Sequence, residues 1–281
     1  MRLNRLFVLS VVIPIMLLAP FLLTAGGGWT KDKGTAYYKV SHWWVDATKQ
    51  FNLDGTSSAI PPEGIFRTSL FAEYGITNQL TGIINLPFSK SANDTESISG
   101  IGDTDIALKY QLNKPGSKFV LAGTVLFGLP FGNSGGGVDG TLQTGDGEFN
   151  QLVQLDLSRS FAVGPVNAYA NVYLGFNNRS NNFSDEFRSG GELGASFIKG
   201  KVWVIARLDM IESLQNGTKS TSANDGATIF ANNTEYVAST YEVAVYATKK
   251  IGISASYATV FDASLIFASP SYSLGFFLDL K

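Results

Sequence analysis

The chain has no cysteine and a single histidine, His42. Without thiols there is no disulfide, no thiolate nucleophile and no cysteine-ligated metal, and one imidazole leaves little for acid–base or metal chemistry. Charge is scarce: charged residues make up 16% of 281, against about a quarter in ordinary soluble domains. The formal net charge is −2, so the basic field that gathers nucleic acid is missing and no nucleic-acid partner is expected. After residue 25 no apolar run approaches the roughly 20 residues a membrane-spanning helix needs. Glycine is plentiful, at 30 residues, and aromatics reach 12%. Low charge with many aromatics and glycines suits a β-protein whose outer surface meets something other than water.

The first 25 residues stand apart. Arg2 and Arg5 precede an apolar run from Leu6 to Leu23, which ends in Leu23-Thr-Ala25 and a glycine cluster. The pattern predicts a cleaved export signal over residues 1–25 and one mature domain over 26–281. A retained membrane helix is the rival reading, opposed by Pro14, Pro20 and the Ala-Gly-Gly exit. Cleavage would remove two arginines and take the net charge from −2 to −4.

Gly102 to Phe161 sets the rhythm of the rest. In Asp105 to Leu112, Ile106, Leu108, Tyr110 and Leu112 fall on one face, opposite Asp105, Ala107, Lys109 and Gln111. That alternation is a strand with one oily and one wet side. Asn113-Lys-Pro-Gly-Ser117 turns the chain. A second strand ends in the polar, glycine-rich Gly132 to Gly147, and a third follows from Glu148 to Phe161. Carried along the chain, the pattern predicts twelve strands. Connectors after the even strands are short; those after the odd strands are longer and polar, including Phe51 to Glu63, Ser91 to Gly100 and Glu212 to Thr234. The pattern predicts an all-β, up-and-down antiparallel transmembrane β-barrel of about 12 strands, preceded by a signal peptide.

The faces decide where the charges go. An Arg or Lys facing lipid near the midplane would cost roughly 2–4 kcal/mol. The lumen-lining set is therefore Arg67, Glu73, Asp105, Lys109, Asp156, Arg188, Glu192, Arg207, Asp209 and Glu242, with the aromatics Tyr169, Tyr173, Trp203, Tyr246 and Phe277. Such aromatics offer stacking surfaces to an aromatic solute or simply fill space. The charges select what passes or form a salt-bridge lattice that props or plugs the barrel.

Several motifs carry a further resemblance. Gly100-Ile-Gly-Asp-Thr-Asp105 leads into Ala107-Leu-Lys-Tyr110; Gly128-Leu-Pro-Phe-Gly132 and Leu142-Gln-Thr-Gly-Asp-Gly-Glu148 follow, then a strand ending Ser158-Arg-Ser-Phe161. In this order, over about Gly64 to Phe197, the chain resembles the outer-membrane channels named for the MetA pathway of phenol degradation. The resemblance implies a barrel in the bacterial outer membrane, contacting lipid, inserted by the barrel-assembly machinery and passing small, often hydrophobic or aromatic, solutes. Outer-membrane barrels usually end on an aromatic residue; here Tyr272, Leu274, Phe276, Leu278 and Leu280 alternate but Lys281 is last.

Chemistry of other kinds finds little support. Ser41 and His42 would point to opposite faces of a strand, and no G-x-S-x-G elbow is present. Ser41-His-Trp-Trp44 reads as part of an interfacial aromatic girdle. Gly132 to Gly147 lacks the Lys-Ser/Thr of a phosphate loop and reads as an outer loop, able to fold inward as a constriction. Asp103, Asp105, Asp139 and Asp146 match no calcium-loop spacing. The expected catalytic, metal and cofactor inventory is none, and the expected role is a passive channel, with a closed structural or surface-binding barrel as the alternative.

Overall fold

The computed structural model describes residues 27–220 and 228–281. The expected export signal lies outside the described residues. The strands are β1 (Ala36–Phe51), β2 (Ser57–Gly75), β3 (Leu80–Asn93), β4 (Ser97–Ile101), β5 (Thr104–Gln111), β6 (Val120–Leu129), β7 (Asn150–Val163), β8 (Val166–Arg179), β9 (Glu186–Phe197), β10 (Val202–Ser213), β11 (Glu235–Tyr246), β12 (Ile251–Ser264), β13 (Ile266–Phe267) and β14 (Ser271–Leu280). Each pairs antiparallel with its neighbours, and β1 closes the sheet by pairing with both β2 and β14. The seam runs from Ala36↔Leu280 to Val45↔Ser271. Since β4 extends β5 and β13 extends β14, twelve strands form the wall among the described residues. Closure pairs the backbone groups that an open sheet edge would present to lipid.

The outward positions carry the oily half of each alternation. Leu155 is 51% exposed and Leu274 58% exposed, and around the wall Val40, Leu108, Val153 and Val243 are exposed in the same way. A continuous apolar band of this kind is disfavoured against water and matched by hydrocarbon. The inward positions carry the polar half: Thr81, Ser89, Asp156, Ser158, Asn171 and Asp279 are buried.

The twelve expected strands are all present, but two connectors differ. Most of Phe51 to Glu63 is strand, joined by a tight turn in which Asn52 N donates to Thr56 O at 2.7 Å. Pro61-Pro62 falls where the β1–β2 register shifts, between Ala47↔Glu63 and Lys49↔Ala59, a place where residues without an N–H are tolerated. Ser91 to Gly100 is likewise mostly β3 and β4. Polar composition marked these stretches as loops, whereas a hairpin that continues beyond the oily band is polar on both faces.

The break between β4 and β5 also has a cause in the sequence. It lies opposite Pro87, which has no N–H to offer, and pairing resumes on either side at Phe88↔Ile101 and Asn85↔Asp105. At the break Gly102 N donates to Pro87 O at 2.8 Å. The neighbouring Asp103 accepts from Gly132 N at 2.9 Å and Asp146 N at 2.7 Å. Asp103, in the break opposite Pro87, thus anchors the glycine-rich loop.

Candidate functional site

Inside the barrel lies a cavity of about 630 Å3. Its walls carry Tyr37 and Lys39 from β1, Phe71 and Glu73 from β2, Asp105 and Lys109 from β5, Tyr169 from β8, and Trp203 and Arg207 from β10. Glu242 and Tyr246 from β11 and Phe277 and Asp279 from β14 complete them. The charges are bonded to one another across strands. Glu242 accepts from Lys39 Nζ at 2.7 Å and from Arg207 Nη1 at 2.7 Å, while Arg207 Nε donates to Glu192. Tyrosine hydroxyls supply further donors: Tyr169 to Glu192 at 2.6 Å, Tyr173 to Asp209 at 2.6 Å and Tyr246 to Asp279 at 3.1 Å. The result is a lattice across β1, β8, β9, β10, β11 and β14 in which Glu192, Asp209, Glu242 and Asp279 each find a donor.

The aromatic rings lie along the wall because glycine stands opposite them. Tyr169 pairs with Gly194, Tyr173 with Gly190 and Phe277 with Gly252. A Cβ on Gly194 would overlap the Tyr169 ring, and one on Gly252 the Phe277 ring. Each ring occupies the place of the missing side chain, which keeps the centre of the lumen open.

At the end of the barrel where Ala36 pairs with Leu280, the segment Gly27–Lys31 enters the lumen. Gly28 N donates to Ser158 Oγ at 2.8 Å, Lys31 N to Thr81 Oγ1 at 2.7 Å, and Lys109 Nζ to Gly27 O at 2.6 Å. Lys31 Nζ lies 3.1 Å from Asp279 and Trp29 packs edge-on to Tyr169 at 5.6 Å. A second cavity of about 200 Å3, lined by Gly27, Asp156, Tyr173, Glu192 and Asp209, lies beside the segment.

At the opposite mouth the glycine-rich loop folds inward: Leu142, Gln143, Thr144 and Glu148 are all buried. Arg179 lies 2.6 Å from Glu148 and 2.5 Å from Glu186, which also holds Arg188 at 2.7 Å. Burial pushes the Asp146 carboxyl well above the ordinary carboxylate range, and Glu148 and Asp103 add repulsion. Burial raises Glu148 as well, against the pull of Arg179. Glu148 Oε2 is buried with no hydrogen-bond partner among the described residues. Beside this loop, Phe230 from the Thr228–Phe230 turn joins Val45, Ala47, Ile65 and Phe267 in an apolar cluster against Trp43.

Of the sequence-derived set, Glu73, Asp105, Lys109, Tyr169, Trp203, Arg207, Glu242, Tyr246 and Phe277 meet at the main cavity. Asp156, Tyr173, Glu192 and Asp209 meet at the second. Arg67 and Arg188 border neither; Arg188 lies by Glu186 toward the mouth. Tyr37 and Lys39 were not singled out by the sequence, because the dense aromatics of β1 obscure its alternation; Phe71 on β2 was not singled out because it is an apolar residue on the otherwise polar face of its strand. Trp29 and Lys31 read as a polar lead-in; a tryptophan outside any strand was the available sign. Ser41 lines the cavity, whereas His42 is exposed, 3.0 Å from Thr68 Oγ1 and stacked on Trp44 at 5.8 Å. Of the four aspartates considered for calcium, Asp103 is spent on backbone N–H groups and Asp139 is exposed on the loop.

No family model matches this chain, and no curated protein matches it. Among solved structures it is similar to an outer membrane channel from Pseudomonas putida F1, with a TM-score of 0.61 at 17% identity over 92% of this chain and 100% of that one. The fold is that of an outer-membrane barrel. The NanC and KdgM porins also align, each with a TM-score of 0.49 at 10% identity over 87% of this chain and 99% of theirs.

Proposed function

We propose that this chain is a bacterial outer-membrane channel through which small, hydrophobic or aromatic solutes pass passively. On this reading residues 1–25 are removed on export and the barrel-assembly machinery inserts the rest. The observation that carries it is the cavity inside a closed wall, with charges of both signs and flat aromatic surfaces facing one solute-sized space. A purely structural barrel gains nothing from such a space, since a packed interior would stabilise it more. The oily outer band supports membrane insertion, and the order of motifs from Gly100 to Phe161 supports kinship with the channels named for the MetA pathway. The fifteen lumen residues read from sequence act, on this proposal, as the lining that sorts solutes, with the Arg207 lattice holding the wall apart.

A second reading, a structural or surface-binding barrel with a closed lumen, draws on one observation: Gly27–Lys31 crosses the inner end. Swelling of liposomes carrying the refolded chain separates the two, with small aromatic acids, sugars and simple salts offered in turn. Swelling that favours aromatics supports the channel. A folded barrel that admits none of them refutes it and leaves the structural reading.

A further inference from the structure

Arg67 sits on β2 one inward position beyond Ser69, which lines the main cavity. It lies level with Trp43 and Ser89 in the register. Other lumen cations have partners: Lys31 has Asp279, Lys39 has Glu242, Arg207 has Glu192 and Glu242. Arg67 has no carboxylate within ion-pair distance among the described residues. Its one hydrogen bond among the described residues runs from Nε to Ser89 Oγ at 3.2 Å. A guanidinium carries five N–H donors, and leaving them unspent in a desolvated place is costly.

The surroundings are apolar and aromatic. The guanidinium carbon lies 6.0 Å from the Trp43 ring centre and 5.8 Å from that of Phe230. Both rings adjoin the cluster of Val45, Ala47, Ile65 and Phe267. Contacts of this kind engage the flat face of a guanidinium and leave its edge free for a planar, bidentate acceptor. The acids whose fields reach Arg67 are Asp105, Asp103 and Asp146, none close enough to pair with it.

We propose that Arg67 binds the carboxylate of an aromatic monocarboxylate, whose ring lies against Trp43 and Phe230 before it enters the cavity. A second carboxylate on the ring would add negative charge to a region already under the fields of Asp103 and Asp105, so dicarboxylates are rejected. This rests on the channel reading and names its substrate class.

The test is equilibrium dialysis of the full chain in nanodiscs, with empty nanodiscs as the blank, against benzoate, benzamide and terephthalate. Wild type is expected to bind benzoate about tenfold or more tightly than benzamide, as a charge-assisted bidentate contact warrants, and to bind terephthalate no better than benzamide. Arg67→Gln is expected to abolish the benzoate preference and keep the heat-modifiable gel shift of a folded barrel. Equal wild-type affinity for benzoate and benzamide overturns the proposal, as does an Arg67→Gln barrel that keeps the preference. Should Arg67→Gln not fold, the wild-type comparison alone decides. Binding is measured without passage. A barrel that prefers benzoate yet conducts nothing refutes only the channel, and one that conducts without preference refutes only the Arg67 site.

Discussion

If Gly27–Lys31 is the inner barrier of the lumen, weakening its grip should open the channel by a calculable amount. Trp29 is the side chain to remove. Its edge-on contact with Tyr169 contributes about 0.5–1.5 kcal/mol. Truncation to alanine also exposes on the order of 100 Å2 of apolar surface, about 2.5 kcal/mol at the usual coefficient. Trp29 is only half-buried and the lumen is wet, so about 2 kcal/mol is a fair net loss, or about a 30-fold rise in the unseated population. The hydrogen bonds of Gly28 to Ser158 and of Lys31 to Thr81 remain, so the segment is loosened and not lost. The chain has no cysteine, so Thr30→Cys gives one thiol on this segment. Maleimide labelling of that thiol should run about 30-fold faster with Trp29→Ala than without it, in line with the same population change, and single-channel open probability should rise with it. Equal labelling rates in the two proteins would refute the grip assigned to Trp29. Faster labelling with unchanged conductance would refute the segment's role as the barrier.

Two further outcomes follow from the charges. Arg207→Glu changes the local charge by two units beside Glu192 and Glu242. At about 7 Å in a wet lumen this favours a cation and disfavours an anion by about 1 kcal/mol each after screening. The cation-to-anion permeability ratio should rise about tenfold or more, read as the reversal potential in a salt gradient; a folded variant with an unshifted potential would count against the lattice as a selector. The second outcome concerns pH. Asp146 and Glu148 keep their protons in the seated loop at pH values where a free loop has lost them. Seating is therefore strongest below the ordinary carboxylate pKa and weakens as pH rises through the window above it. Hydrogen exchange of the Gly132–Gly147 amides, relative to a free peptide, should slow on going from about pH 7 to about pH 5, just above that ordinary value. A ratio that stays constant over this range would rule out the link.

The barrel was legible because lipid outside and water inside enforce a period of two with little tolerance. Strand β5 shows it plainly, with Leu108 outward and Lys109 inward, and most lumen charges could be read from parity alone. Parity says nothing about depth, so it could not separate Arg67 and Arg188, which border neither cavity, from Lys109 and Arg207 on the main one. It also fails where the rule lapses. Beyond the oily band both faces of β1 and β2 are wet, and their extension past Phe51 looked like loop. The Gly27–Lys31 segment obeys no period, because a strand-free chain bound inside the lumen takes its contacts from residues as distant as Ser158 and Asp279.

The seam between β1 and β14 has a consequence for how the molecule comes into being. Ala36 at the first strand pairs with Leu280 of β14, so the wall cannot close until β14 has been made. Until then β1 and β14 are bare edges, open to mispairing and aggregation. Closure also joins the most distant parts of the sequence, the slowest kind of contact to form. Gly27–Lys31 lies immediately before that seam, so its entry into the lumen must be settled before or during closure. A barrel sealed with this segment outside would have a wall of the same register and an unguarded interior.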